Sequence, residues 1–510
     1  MGSDSKSRCT IPSDVGKLHG PAIAHYRMTE VLTQVWTIAF ALAHTAAAIA
    51  VTVDAVLRKR HVSAVFGWVG LAWLAPGIGS ILYLVFGINR IRRNAIALGL
   101  RNAWEHEGHT TTSDLSAGVE SALLRDDAAL AGLEQLCQRL TGNALLAGNR
   151  ITALQDGDAA YPAMLGAIEG AQDSVSLASY IFDNDSAGQA FLLALSGARK
   201  RGVEVRILID GLGLRYSRPD MLGALRRAGI TAAAFSPTRN PLRSRYANLR
   251  NHRKIMVVDG RIGFTGGMNI REGHWLQKGP AHPVRCLHFG VEGPIVADLQ
   301  RTFAVDWAYA SGEQLLGKKW FPPLTPCGPV AARGVSDGPD ADIDNLPQVL
   351  LGALAVARSH VRIVTPYFLP DETVLAMLKV TAFRGVAVDI VLPEHSNLRV
   401  MDWATRPQLP ELLASGCRIH LSPPPFDHTK LLLVDDHWSL IGSTNWDARS
   451  LRLNFEYNLA CIDSALVRRL DILVTERIAG ARLLNPDELS ALPLPARLRN
   501  GVARLLSPYL

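Results

Sequence analysis

One repeated pattern constrains this chain more than any other feature: His-x-Lys-x-x-x-x-Asp occurs twice, as His252, Lys254, Asp259 and as His428, Lys430, Asp435. A small-residue turn and an asparagine follow each copy, Gly266-Gly267-Met268-Asn269 and Gly442-Ser443-Thr444-Asn445. The histidine-to-asparagine offset is 17 both times (269 − 252 and 445 − 428). A single match to so loose a pattern carries little weight. Two matches with matching tails require a duplicated unit that builds one site from two halves.

The flanking chain repeats as well. A strand pattern over 173–182, a helix over 187–201 and an alternating strand over 202–210 recur at 361–368, 372–384 and 385–393. Arg201-Gly202-Val203 and Arg384-Gly385-Val386 mark the same joint in each copy. The expected architecture is α/β, with two similar lobes at 146–318 and 346–510. A Pro-, Gly- and Asp-rich linker is expected between them at 319–345.

Val31 to Val53 and Val62 to Ile88 carry no charged residue, and each exceeds the about 20 apolar residues that a bilayer span needs. After a tail at 1–30, a transmembrane helical hairpin is therefore expected over 31–93, followed by a helical linker over 94–145. Length and lack of charge argue against buried core helices. The polar residues ahead of the first run, and the second run behind it, argue against a cleaved leader. Lys17, Arg27, Arg90, Arg92, Arg93 and Arg101 flank the pair, against Arg58, Lys59 and Arg60 between the runs. Cytoplasmic loops are enriched in Lys and Arg, which predicts a multi-pass protein of the plasma (inner) membrane with cytoplasmic lobes. The net charge of +7 suits an anionic partner. The six cysteines are scattered without a CxxC pair, which fits reduced thiols and offers no metal cluster.

On a strand, side chains two apart share a face, so His252 points with Lys254 and His428 with Lys430. Asp259 and Asp435 complete the candidate catalytic set, but their odd offset puts them on the other face or in the next turn, in a mainly structural role. Imidazole can act as nucleophile or acid-base near neutral pH. Lysine and asparagine donors can hold the oxygens of a phosphate ester as charge builds. Two such sets facing one another allow one histidine to attack phosphorus while the other protonates the leaving alkoxide. Such chemistry asks for no metal and no cofactor.

These residues resemble the phospholipase D superfamily and, within it, the bacterial cardiolipin synthases. The similarity runs through Asn251-His252-Arg253-Lys254-Ile255, Gly263 to Asn269, Thr365-Pro366-Tyr367-Phe368, and Gly442 to Ser450 with Asn454-Phe455-Glu456. The resemblance implies phosphatidyl transfer between two phosphatidylglycerol molecules through a phosphohistidine, with anionic phospholipid and bilayer as partners and no nucleic acid. It makes His252 and His428 the nucleophile and acid-base pair, with His252 as nucleophile. Lys254, Lys430, Asn269 and Asn445 would hold phosphate, and Glu456 would orient His428. Cys286 stands where the family usually has an aspartate, expected to serve His252, with Glu272 or His288 as substitutes. The competing readings are a phospholipase D that passes the phosphatidyl group to water or another alcohol, a nuclease and a non-catalytic membrane scaffold. Tyr180 and Tyr367 hold matching places near the cleft. Arg243, Arg245, Arg250 and Arg253 crowd the first motif as candidate headgroup attractors.

Overall fold

The computed structural model describes residues 20–58, 62–87, 127–236, 250–338 and 344–507. Two units are distinguished, an N-terminal helical unit and a large α/β body.

In the N-terminal unit, Gly20–Arg58 is a single helix of 39 residues whose one proline, Pro21, falls in the first turn. Within it, Met28–Arg58 is long and apolar enough to cross a membrane, the one such helix among the described residues. The second expected span is broken. Val62–Leu74 runs for 13 residues and stops at Ala75-Pro76-Gly77; the helix resumes as Ile78–Leu82 and widens into a π turn at Tyr83–Gly87. Pro76 has no amide hydrogen to donate, and Gly77 takes a positive φ of 73°, so the helical ladder cannot pass through. Thirteen residues rise about 20 Å, short of the roughly 30 Å hydrocarbon core. The multi-pass topology expected from hydropathy is therefore not supported, because an apolar window measures composition and not helix continuity. The two arms do pack together, through Ala48, Val51, Ala55, Ala72 and Tyr83. Tyr83 donates to Asp54 at 2.7 Å, and the Trp73 indole donates to Thr52 at 3.0 Å. Of the charges used to orient the hairpin, Lys17, Lys59, Arg60, Arg90, Arg92, Arg93 and Arg101 lie outside the described residues, as does 94–126 of the expected linker.

The body is built on one long sheet. From the second-lobe edge it runs Arg482–Leu483, Arg418–Ser422, Ala387–Pro393, His360–Val364, Leu431–Val434, Trp438–Gly442, Asn454–Ile462 and Val330–Asp337. It crosses into the first lobe at Leu146–Gln155 and continues through Leu287–Glu292, Ile262–Gly266, Ile255–Val258, Ser174–Ser179, Glu204–Asp210 and Thr231–Phe235. Apart from the edge strand, the second half reads as the first in reverse. In each lobe three parallel strands meet an antiparallel hairpin that begins just after the His-Lys pair. The helix-to-strand joints at Gly202 and Gly385 take φ of 94° and 88°, a turn that glycine makes without strain. The α/β fold with two duplicated lobes is the one the repeat implied.

One stretch differs from expectation. The Pro/Gly-rich stretch 319–345 contains Val330–Asp337, a largely buried strand that pairs with Asn454–Ile462 and, at the lobe junction, with Leu146–Gln155. Flanking turn residues hid eight residues that lie at the centre of the sheet. Upstream, Ala128–Thr141 is a helix capped by Asp127, and it buries Leu130, Leu133 and Cys137 in the core of the second lobe. A buried ion pair at 2.7 Å between its Glu134 and Arg333 fastens it to the central strand.

Candidate functional site

Each His-Lys pair sits where the chain leaves one lobe's grip for the other's. Arg250–Asn251 pairs in parallel with Asn454–Phe455 of the second lobe, and Ile255–Val258 then joins the first-lobe sheet. In the other half, Phe426–Asp427 pairs with Val284–Arg285 of the first lobe before Leu431–Val434 joins its own sheet. The amide of His252 donates to Phe455 O at 2.9 Å, and that of His428 donates to Arg285 O at 2.7 Å. The motif residues therefore lie in the break between two strand segments, held from both lobes.

The carboxylate pairing is crossed, which corrects the expectation for Glu456. Its two oxygens lie 2.9 and 3.0 Å from Nδ1 of His252, not of His428. Ser443 at 2.5 Å and Asn454 at 3.2 Å also donate to it. Cys286 occupies the mirror position beside the second motif, with Sγ 3.4 Å from His428 O. His428 Nδ1 instead bonds the backbone carbonyl of Gly267 at 2.9 Å. A carboxylate and a carbonyl can only accept, so both rings carry their proton on Nδ1 and present Nε2 as the basic nitrogen. Neither expected substitute serves His252. Glu272 takes a bond from Ser186 at 3.1 Å, and His288 is buried with Nδ1 lacking a partner among the described residues. Close packing separates the two halves further: a Cβ at Gly267 would meet Cys286 Sγ at 2.8 Å, whereas its counterpart Ser443 has room to bind Glu456.

Both lysines fold back on their own histidines. Lys254 Nζ donates to His252 O at 2.7 Å and Lys430 Nζ to His428 O at 2.6 Å, each using one of three N–H bonds. Burial pushes Lys254 down to about 7, with Glu456 opposing, and pushes Lys430 down to about 8. Burial also lowers both histidines. Glu456 resists this for His252, while Lys430 and Lys254 drive His428 lower still. Glu456 stays below the usual carboxylate range despite burial, held there by His252 and then Lys254. The cationic groups of each half thus act on the histidine of the other, the mark of one shared pocket.

Asn269 and Asn445 are also buried. Asn269 Oδ1 accepts from the Ile181 amide at 3.2 Å, and Asn445 Nδ2 donates to Ser450 at 3.1 Å. Tyr180 stands edge-on to His252 at 5.1 Å and Tyr367 to His428 at 6.3 Å, matching their expected places. Asp259 and Asp435 are not brought to the pocket. Asp259 accepts from the amides of Gln172, Asp173 and Ser174, and Asp435 from those of Arg358, Ser359 and His360. Each caps one parallel strand of its lobe, Ser174–Ser179 or His360–Val364, from a positive φ, 50° and 49°, which aspartate tolerates better than most residues.

Of the arginines near the first motif, Arg243 and Arg245 lie outside the described residues. Arg253 is buried. It chelates Asp306 at 2.8 and 2.9 Å and donates to Glu456 O at 3.0 Å, a tie between lobes and not a surface for headgroups. Two groups escaped the sequence reading. Arg449 is half-buried, and desolvation and then Arg250 hold its guanidinium below its ordinary range. His274, on a short 3-10 turn, places its ring 6.5 Å from that of His428. Arg449 belongs to the Gly442-to-Ser450 stretch behind the second motif, whereas nothing in the spacing marks His274.

Duplicated lobes on one sheet, with two His-Lys pairs held crosswise in one pocket, define a phospholipase D-like protein. The family profile described as "Cardiolipin synthase, PLD-like domain" matches residues 164–283 and 350–475. Cardiolipin synthase A of Pseudomonas fluorescens (strain SBW25) is 33% identical over 461 residues, covering 90% of this chain and 95% of that protein. The major cardiolipin synthase ClsA of Bacillus subtilis (strain 168) is 30% identical over 465 residues, covering 89% and 95%. Phosphatidylserine synthase of Haemophilus influenzae Rd KW20 shares the fold, with a TM-score of 0.58 at 14% identity over 74% of this chain and 100% of that one. The chain belongs to the cardiolipin synthase family of phospholipase D-like enzymes. It is a phosphatidyltransferase with phospholipid substrates, and its apolar N-terminal helix fits a membrane protein.

Proposed function

We propose that this enzyme makes cardiolipin by moving a phosphatidyl group from one phosphatidylglycerol to another, at a plasma-membrane site whose lobes face the cytoplasm. The observation that carries the reading is the pair of imidazoles in one tautomer, with two lysines, in a buried pocket that both lobes build. His252 Nε2 attacks phosphorus, the bond to the glycerol oxygen breaks, and that oxygen takes a proton from His428. The terminal hydroxyl of the second phosphatidylglycerol then returns a proton to His428 and attacks phosphorus. The P–N bond breaks, and cardiolipin leaves.

The asymmetry of the two halves suits these roles. Phosphorylation leaves the His252 ring cationic, and the ionised Glu456 neutralises it. His428, backed by a neutral carbonyl and two lysines, forms an imidazolium that gives up its proton readily, as an alkoxide leaving group demands. Lys254 and Lys430, with Asn269 and Asn445, supply donors for the phosphoryl oxygens. The negative charge of the diester favours the protonated form of His428 when substrate binds.

The test is incubation of the purified, reconstituted chain with labelled phosphatidylglycerol, followed by lipid mass analysis. Cardiolipin and free glycerol in equal amounts support the reading. Phosphatidic acid alone would make the enzyme a hydrolase, and absence of turnover would sink both.

A further inference from the structure

The helix Leu494–Leu505, LPARLRNGVARL, turns its large apolar residues outward. Leu494, Leu498, Val502 and Leu505 are between 61% and 77% exposed. At 100° per residue they fall within an arc of about 80°. Arg497 and Arg504 border that arc on one side and Arg499 on the other, and the helix has no acidic residue. The opposite face is buried: Asn500 and Ala503 turn inward, Ala503 packing with Leu369, Met401 and Ala404. Arg499 lies over the Trp403 ring at 4.6 Å, which fixes the rotation of the helix.

A face of this kind, an apolar stripe between two basic borders, matches the interface of an anionic bilayer. The acyl boundary takes the leucines, and the headgroup phosphates take the guanidiniums. Its place in the fold ties it to the catalytic pocket. Tyr367 packs against the cluster that holds Ala503, bonds Asn397 at 2.7 Å, and stands edge-on to His428.

We infer that Leu494–Leu505 is an interfacial helix that seats the second-motif side of the catalytic body on an anionic phospholipid surface. The inference deepens the phospholipid-transfer reading by naming how the pocket meets its substrate; contact with lipid can nevertheless be measured without turnover.

The full chain, with Leu498 replaced by the photo-crosslinker benzoylphenylalanine, is reconstituted in vesicles of phosphatidylglycerol and phosphatidylcholine and irradiated. The same crosslinker at exposed Glu476 serves as control. Phospholipid adducts at 498 and none at 476 are expected. Absence of lipid adducts at 498, or adducts to a second copy of the chain, overturns the inference. In parallel, the Leu498→Glu/Val502→Glu pair should lower kcat/KM on vesicles about tenfold while turnover of detergent-solubilised substrate holds. Equal losses in both formats also overturn it. A chain that crosslinks to lipid but makes no cardiolipin would instead count against the catalytic reading alone.

Discussion

Replacing Glu456 by Gln isolates the crossed contact on which the division of labour depends. The side chain is fully buried and sets both oxygens against His252 Nδ1 at 2.9 and 3.0 Å, while also accepting from Ser443 and Asn454. Glutamine keeps the shape and an acceptor but removes the charge. A hydrogen bond to a charged partner contributes about 1.5–3 kcal/mol, and that full amount is at stake only once the His252 ring is cationic. At about 1.4 kcal/mol per factor of ten, formation of the phosphatidyl-enzyme should slow roughly tenfold to a hundredfold. Rapid-quench single-turnover kinetics measure that step directly. Because Glu456 holds the His252 pKa up against burial, its loss lets the pKa fall further. The acid limb of kcat/KM, where the nucleophile is lost to protonation, should then move to lower pH. A first step unchanged within twofold, with the loss confined to proton delivery, would return Glu456 to His428 and refute the crossed arrangement. A matching collapse in melting temperature would point to misfolding, so thermal unfolding is measured alongside.

Three further outcomes follow from the same geometry. Cys286→Asp restores a carboxylate beside the second motif; turnover should be kept or raised and the alkaline limb of the pH profile should move up, whereas a large loss would show that Cys286 does not mirror Glu456. Burial holds Lys254 at about 7 and Lys430 at about 8, so the charge that binds phosphate is present below these values and lost above them. kcat/KM should decline as pH rises through that window, and a flat profile there would contradict the phosphate-holding role. Asp435→Ala removes the acceptor for the amides of Arg358, Ser359 and His360 and should cost about 3 kcal/mol in unfolding, read by denaturant titration. Turnover per folded molecule should persist; if it is abolished in well-folded protein, Asp435 is more than a brace.

What the sequence made legible was local. Each His-Lys pair and each Gly-x-x-Asn tail is read within a few residues, and the strand-helix-strand phrases repeat at matched joints. The partner of Glu456 was not legible, because the residue lies 28 positions after His428 yet folds beside the histidine 204 positions before it. In a pseudo-twofold body, separation along the chain says nothing about which half a side chain faces. Gly267 carries the same lesson, since its carbonyl does for His428 what Glu456 does for His252, and a backbone acceptor leaves no trace in residue type. The broken second arm shows the limit of apolar windows, where Pro76 and Gly77 outweigh the leucines around them. The strand Val330–Asp337 was masked by its turn-rich borders, and only pairing on both sides reveals it as the seam of the sheet.

In the proposed mechanism both imidazoles serve one phosphorus atom, and His252 takes the phosphatidyl group. Acid-quenched enzyme incubated briefly with phosphorus-labelled phosphatidylglycerol can be digested and the labelled peptide mapped. Label is expected on His252, absent in His252→Ala, and present but slow to form in His428→Ala. Label on His428, or full turnover after loss of either ring, would contradict it.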